Sequence, residues 1–159
     1  MKNKRGFTLI ELLLAVFVLS VIISLSIPNF SKSFKRLELK RTAEDIVYLV
    51  RWAQSRAVHE GVEYKLVFID DARSYQVLRG EVSEGQHSQN FSSISSHMGR
   101  VFKIPISVKV DDTQVVKIYP DGTLDKVRLR LQGQDENSLL ISSMEQRGKM
   151  FILEENHES

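Results

Sequence analysis

The sequence predicts an α+β fold: a long N-terminal helix, membrane-spanning in its first half and amphipathic in its second, packed on two small antiparallel β-sheets. Three observations carry this. Residues 7–27 read FTLIELLLAVFVLSVIISLSI, a run with a single formal charge. Residues 39–57 carry apolar side chains at helical spacing, and from Gly61 onward the pattern changes to period two.

The N-terminal run comes first. Phe7 to Ile27 is about 21 residues, or roughly 30 Å of helix, the thickness of a bilayer's hydrocarbon core. Lys2, Lys4 and Arg5 precede it, and Lys32, Lys35 and Arg36 follow it. Positive charge on both sides makes the orientation rule less decisive than usual; the N-terminus is read as cytoplasmic. An ordinary secretory signal cut near Ser24-Leu25-Ser26 is the main competitor. The apolar run is too long for it, and a carboxylate, Glu11, falls in the first turns. A plain uncleaved anchor is the other. At the bilayer centre a carboxylate costs about 2.5–3.5 kcal/mol on the insertion scale, so Glu11 calls for a partner, a function or an interfacial position.

The second half of the helix is read over 29–60. Leu39, Ala43, Ile46, Val50, Ala53 and Ala57 are spaced 4, 3, 4, 3, 4, one apolar stripe widened by Val47 and Leu49. Gly61 is the expected stop. Tyr48 and Trp52 are expected to pack rather than to form a binding box. Beyond it, Val62–Ile69 and Ser74–Leu78 form a hairpin around Asp70-Asp71-Ala72-Arg73. Further strands are expected at 101–104, 106–110, 115–119, 127–131, 139–142 and 150–153, punctuated by Asp111-Asp112, Asp121-Gly122, Gly133-Gln134 and Arg147-Gly148. Residues 81–100 are polar and serine-rich, and a solvated connecting loop is expected there. The resulting division is a leader (1–6), a membrane helix (7–28), its amphipathic continuation (29–60), a β-rich domain (61–153) and an acidic tail (154–159).

Composition narrows function by exclusion. There is no cysteine, so disulfides and thiolate metal sites are ruled out. The net charge is +2, but without Lys2, Lys4 and Arg5 the count is 19 basic against 20 acidic residues. That balance argues against nucleic acid as a partner, although Lys126, Arg128, Arg130 and Lys149 leave a local patch open. The four histidines have no metal-motif spacing, and Asp70-Asp71 and Asp111-Asp112 read as turns rather than calcium ligands. No nucleophile elbow, Walker loop or dinucleotide fingerprint occurs. No catalytic residue, metal or cofactor is expected, and the chain is not read as an enzyme.

The stretch Lys4-Arg5-Gly6-Phe7-Thr8-Leu9-Ile10-Glu11-Leu12 resembles the leader and cleavage site of type IV pilins and type II secretion pseudopilins. The resemblance implies that a prepilin peptidase cuts between Gly6 and Phe7 and that Phe7 is N-methylated. It implies that Glu11 sets register in assembly, where it can pair with the α-ammonium of Phe7 in its own or an adjacent subunit. Pro28 resembles the proline that bends the helix in many pilins; proline removes a backbone donor and clashes with the preceding turn. Ala53-Gln54-Ser55-Arg56-Ala57-Val58 before a strand, and Tyr119-Pro120-Asp121-Gly122 after one, are similar to the H-type minor pseudopilins (GspH) and their FimT-type pilin relatives. The implied role is structural: a minor pseudopilin near the tip of a periplasmic pseudopilus that drives export of folded proteins. Its implied partners are other major and minor pseudopilins, the inner-membrane assembly platform and membrane lipid. It would be a single-pass inner-membrane protein with its globular domain in the periplasm. The alternatives are a minor type IV pilin, for pilus assembly or DNA uptake, and a membrane-tethered binding domain that never polymerises.

Overall fold

The computed structural model describes residues 8–81, 90–134, 137–143 and 148–155, the side chains of 25–32 and 155 excepted. Among the described residues one helix, α1 (Leu9–Glu60, 52 residues), is followed by nine strands. The chain divides into two compact units, Met1–Phe34 and Lys35–Ser159, and the sheets belong to the second.

Within that second unit the expected stripe is the core face of α1: Leu39, Ala43, Ile46, Val50, Ala53 and Ala57 are all buried. Thr42 is buried beside them and donates its hydroxyl to the Glu38 carbonyl at 2.8 Å, so no polar atom is stranded. Tyr48 does not pack as expected: it is 59% exposed, because it falls off the stripe onto the solvent side of the helix. Trp52 does pack, edge-on to Tyr64 with ring centroids 6.3 Å apart.

Gly61 ends the helix. Its φ is +67°, and its N–H donates to the Ala57 carbonyl at 2.9 Å, a left-handed cap that a Cβ disfavours. A Cβ built on Gly61 meets nothing within 4 Å, so Gly61→Ala isolates the backbone term. It is expected to lower stability by about 1 kcal/mol, with Gly61→Asn costing less. Thermal unfolding of the three proteins checks this, and an unchanged midpoint in the alanine variant would contradict it.

β1 (Tyr64–Ile69) and β2 (Ser74–Gly80) form the expected antiparallel hairpin. Its turn holds Asp70, Asp71 and Ala72 at φ of 53°, 50° and 63°. Aspartate tolerates this region, and Asp70 also accepts a hydrogen bond from the Ser74 hydroxyl at 3.0 Å. β3 (Phe91–Ser93) pairs with β2, which corrects the expectation of a plain connecting loop over 81–100. Three residues are too few to print a period-two signal. What orders the segment is a few apolar anchors among the serines. Ile94 and Met98 pack on the core, and Lys65 lies 4.0 Å over the Phe91 ring. A short 3-10 turn at His97–Gly99 follows, with Gln76 donating to the Gly99 carbonyl at 2.7 Å. Residues 82–89 of that expectation lie outside the described residues.

β4 (Phe102–Lys103), β5 (Val108–Asp111), β6 (Val116–Ile118), β7 (Arg128–Gly133), β8 (Ser138–Ser142) and β9 (Phe151–Glu155) complete the set. The first sheet is ordered β3-β2-β1-β6, with β4 also pairing β2; the second is β5-β7-β8-β9. All recorded pairings are antiparallel. Alternation along β7 buries Leu129 and Leu131 and exposes Arg128 and Arg130. The inner faces of both sheets and the α1 stripe make one hydrophobic core, with Tyr64, Leu66, Ile118, Leu129 and Ile141 among its largest members.

Candidate assembly site

The helix begins at Thr8. Its Oγ1 accepts from the Glu11 backbone N–H at 3.3 Å, and its carbonyl accepts from Glu11 and Leu12. Thr8-Leu9-Ile10-Glu11 is therefore a capping-box sequence with the threonine at the N-cap and the glutamate at the third helical position. This role for Thr8 is one that the sequence reading missed, although Thr-x-x-Glu before an apolar run was the signal for it. It also gives Glu11 a local reason to be where it is. A carboxylate in the first turn faces the positive end of the helix dipole.

Beyond the cap every side chain from Leu9 to Ser24 is exposed, and Glu11 carries the only formal charge among them. Leu9 is 81% exposed and Phe17 68%, surface that marks a membrane or protein contact. The two serines of this stretch are already satisfied. Ser20 donates to the Phe17 carbonyl at 2.7 Å, and Ser24 to that of Val21 at 2.8 Å. Those hydroxyls need no water, so an apolar surrounding does not strand them. Among the described residues no helix is long and apolar enough to cross a membrane.

Gly6 and Phe7 lie outside the described residues. Pro28 falls inside the range of α1, and its side chain is likewise outside.

At the other end of α1, in the second unit, two of the sequence motifs meet. Gln54 donates from Nε2 to the Gly122 carbonyl at 2.9 Å and to the Gly148 carbonyl at 2.6 Å. A Cβ on Gly122 would approach Val58 Cγ2 at 3.3 Å, and one on Gly148 would approach the Gly122 oxygen at 3.1 Å. The helical Ala53–Val58 segment and the Tyr119–Gly122 turn are thus one clamp, with Gln54 filling the acceptors of two turns. The turn is closed by its own side chains. Thr123 donates its hydroxyl and its amide to Asp121, which holds that exposed carboxyl below its ordinary range, and the Tyr119 hydroxyl donates to Asp125 at 2.9 Å.

Glu60 ties the end of α1 to the first sheet. It accepts from Arg79 Nε at 2.7 Å and from the Tyr64 hydroxyl at 2.9 Å, and pairs with Arg56 at 3.0 Å. The Arg79 hydrogen bond, more than any other factor, holds its carboxyl below the usual range, while burial raises the Tyr64 hydroxyl. All these groups are spent on each other, which makes the cluster a joint rather than a catalytic constellation.

Of the cations considered for a nucleic-acid patch, Lys126, Arg128 and Arg130 share an exposed face along β7 and the residues before it. Lys149 lies elsewhere, in a groove with Arg51. Asp111 is the cross-strand partner of Arg130 and pairs with Lys109 at 2.9 Å, so that face is mixed in charge. Asp70 and Asp71 occupy the β1–β2 turn, and among the described residues no group of three or more histidine or acidic residues could hold a metal ion.

Residues 1–27 match the family model of the prokaryotic N-terminal methylation motif. A stretch of 79 residues is 38% identical to type II secretion system protein H of Pseudomonas aeruginosa, covering 50% of this chain and 45% of that protein. Another, of 62 residues, is 36% identical to competence protein ComGC of Bacillus subtilis, covering 37% of this chain and 61% of that protein. The chain spans about half the length of the curated relatives it matches. Two structures of EpsH, a minor pseudopilin from the type II secretion system of Vibrio cholerae, superpose on it with TM-scores of 0.57 and 0.56, at 16% and 12% identity. They cover 74% and 77% of this chain, and 97% of EpsH in each case. The chain thus joins a prokaryotic N-terminal methylation motif to a fold shared with EpsH, and half of it is similar in sequence to a type II secretion system protein H.

Proposed function

We propose that this chain is a structural minor pseudopilin of a type II secretion system, working in the tip region of a periplasmic pseudopilus that drives export of folded proteins. The observation that carries this reading is the joining of a prepilin methylation motif at residues 1–27 to an EpsH-like fold. A prepilin peptidase cuts after Gly6 and methylates Phe7. Residues 7–28 then hold the chain in the inner membrane, N-terminus inward, with the β-rich domain in the periplasm. There it joins other pseudopilins under the control of the assembly platform. Glu11 sets register against a neighbouring Phe7 ammonium, and Pro28 bends the stem. The role is one of assembly, without catalysis.

The similarity to a competence protein favours a second reading, a minor type IV pilin. The fold match to EpsH, which takes in nearly all of that chain, supports the secretion reading over it.

Intact-mass and N-terminal peptide mass spectrometry on protein from the native host tests the processing step. The expected product begins with N-methyl-Phe7. An intact Met1, or a chain beginning near Ile27, would end the pilin reading.

A further inference from the structure

The fold leaves β9 as an open edge. It is the last strand of the order β5-β7-β8-β9, and among the described residues no strand pairs with its far side. An edge strand is a template for pairing with another chain unless shortness or charge blunts it. The opposite edge of the sheet is blunted by charge: on β5, Lys109 and Asp111 pair with each other at 2.9 Å. The centre of β9 carries no charge. Phe151 and Ile152 are half-buried there, and Leu153 is 39% exposed.

The charges stand at the two ends of β9, and they are opposite in sign. Exposed Lys149 precedes the strand, and Glu154 and Glu155 close it. The basic end is held in place, because the Gly148 carbonyl accepts from Gln54 at 2.6 Å and Met150 is buried. Arg51 of α1 and Lys149 line one open groove, together with Val58 and Phe151. Among the described residues neither cation is in an ion pair. At the acidic end Glu154 is only loosely engaged, 4.0 Å from Arg36 with its side chain 63% exposed.

A segment that is basic at one end, apolar in the middle and acidic at the other complements itself when turned antiparallel. Pairing about Ile152 sets Lys149 of each copy opposite Glu155 of the other, and Phe151 opposite Leu153. Residues opposite each other in an antiparallel pair have Cβ atoms about 4.5–5.5 Å apart, close enough for apolar and opposite-charge pairs to act. The two-fold axis makes each such pair twice. Ile152 packs on the core and Glu154 reaches Arg36 of α1, so both lie on the helix side of the strand. Across the axis that side brings Glu154 of the second copy towards the groove and Arg51. A register centred one residue on, at Leu153, would set Phe151 opposite Glu155 and lose both pairs.

We propose that β9 docks against β9 of a second copy of this chain, antiparallel about Ile152, joining two four-stranded sheets into one of eight strands. This goes beyond the secretion reading, because it gives the subunit a contact with its own kind through the β-rich domain. One strand pair is smaller than the roughly 1,200–2,000 Å² of stable interfaces, so the association is a transient one.

The test uses the full chain in density-matched detergent micelles, with association measured by analytical ultracentrifugation. Wild type should show a reversible monomer–dimer equilibrium. Zero-length carbodiimide crosslinking of mixed isotope-labelled and unlabelled copies should join Lys149 of one to Glu155 of the other. Lys149→Glu alone and Glu155→Lys alone should each associate about tenfold or more weakly, since like charges then face each other at both symmetry-related positions. An equal mixture of the two variants should regain the wild-type level, because every facing pair is again opposite in charge. Misfolded chains could not rescue each other in this way. A monomeric wild type, or a mixture that stays monomeric, would overturn the proposal. So would variants that associate as wild type does, which would place the contact elsewhere on the chain. A wild type that is monomeric alone, yet crosslinks through β9 to a different subunit in its native host, would overturn the second copy as occupant and give the edge to that subunit.

Discussion

Glu11→Leu is expected to leave cleavage after Gly6 and membrane insertion intact while lowering crosslinking to neighbouring subunits at least tenfold, a loss of about 1.4 kcal/mol or more. The expectation rests on what surrounds Glu11. It is the only formal charge among residues 8–24, every side chain there is exposed, and its backbone is held by Thr8 at the helix start. A charge in lipid is costly, so the leucine should insert as well or better. On the proposed register role, what is lost is the partner for a Phe7 ammonium, and an ammonium left unpaired in an apolar interface costs about 3–5 kcal/mol. A tip subunit has neighbours on fewer sides than a shaft subunit, which is why the expected loss is set below that. The capping box adds a control. Glutamine serves at the third helical position as glutamate does, so Glu11→Gln preserves the cap and removes only the charge. If charge is what matters, the two variants should fail alike. If glutamine behaves as wild type and leucine fails, the cap is the function of this residue. Cleavage, crosslinking and secretion measured in the same cells decide among these outcomes, and normal crosslinking in both variants would leave Glu11 without a role in register.

Tyr64→Ala should be the most destabilising single change in the domain, by about 3–5 kcal/mol, the range for removing a large buried ring. Tyr64 is 1% exposed at the head of β1, where three elements meet. Its ring packs edge-on against Trp52 of α1, its hydroxyl donates to Glu60, and its backbone pairs with both Arg79 of β2 and Ile118 of β6. Alanine leaves a cavity between helix and sheet and takes one donor from Glu60. Tyr64→Phe keeps the ring and removes only the hydrogen bond, so it should cost about 1 kcal/mol. Trp52 is the single tryptophan of the chain, so its fluorescence during denaturant unfolding reports this joint. Equal midpoints for the alanine and phenylalanine variants would show that the ring contributes nothing beyond its hydroxyl.

Much of the fold was legible in the sequence because its periodic signals are long. The stripe Leu39 to Ala57 extends over several helical turns, and all six of its residues are buried where the spacing placed them. The hairpin around Asp70-Asp71-Ala72, the stop at Gly61 and two antiparallel sheets were fixed by local chemistry: alternating side chains, residues that tolerate positive φ, and a glycine at a left-handed cap. Gly6, Phe7 and Glu11 are marked by a dense local motif, legible whatever the rest of the chain does.

Other features needed the tertiary structure. Phe91–Ser93 becomes a strand because β2 has a free edge beside it, and nothing in three residues could announce that. Tyr48 and Trp52 look alike in the sequence, yet one faces solvent and the other Tyr64, a difference set by helix rotation. Gln54 reads as an ordinary polar-face residue until Gly122 and Gly148 are brought to it from 68 and 94 residues away. Arg36 and Lys40 likewise come to line one small notch only because Asn137 and Glu154, about a hundred residues on, close it. The physical division is one of range. Spacing, turn chemistry and hydropathy act between near neighbours and are written in order along the chain. Hydrogen bonds and cavities made by residues distant in sequence depend on how the two sheets settle against one helix face, and only the folded structure decides that.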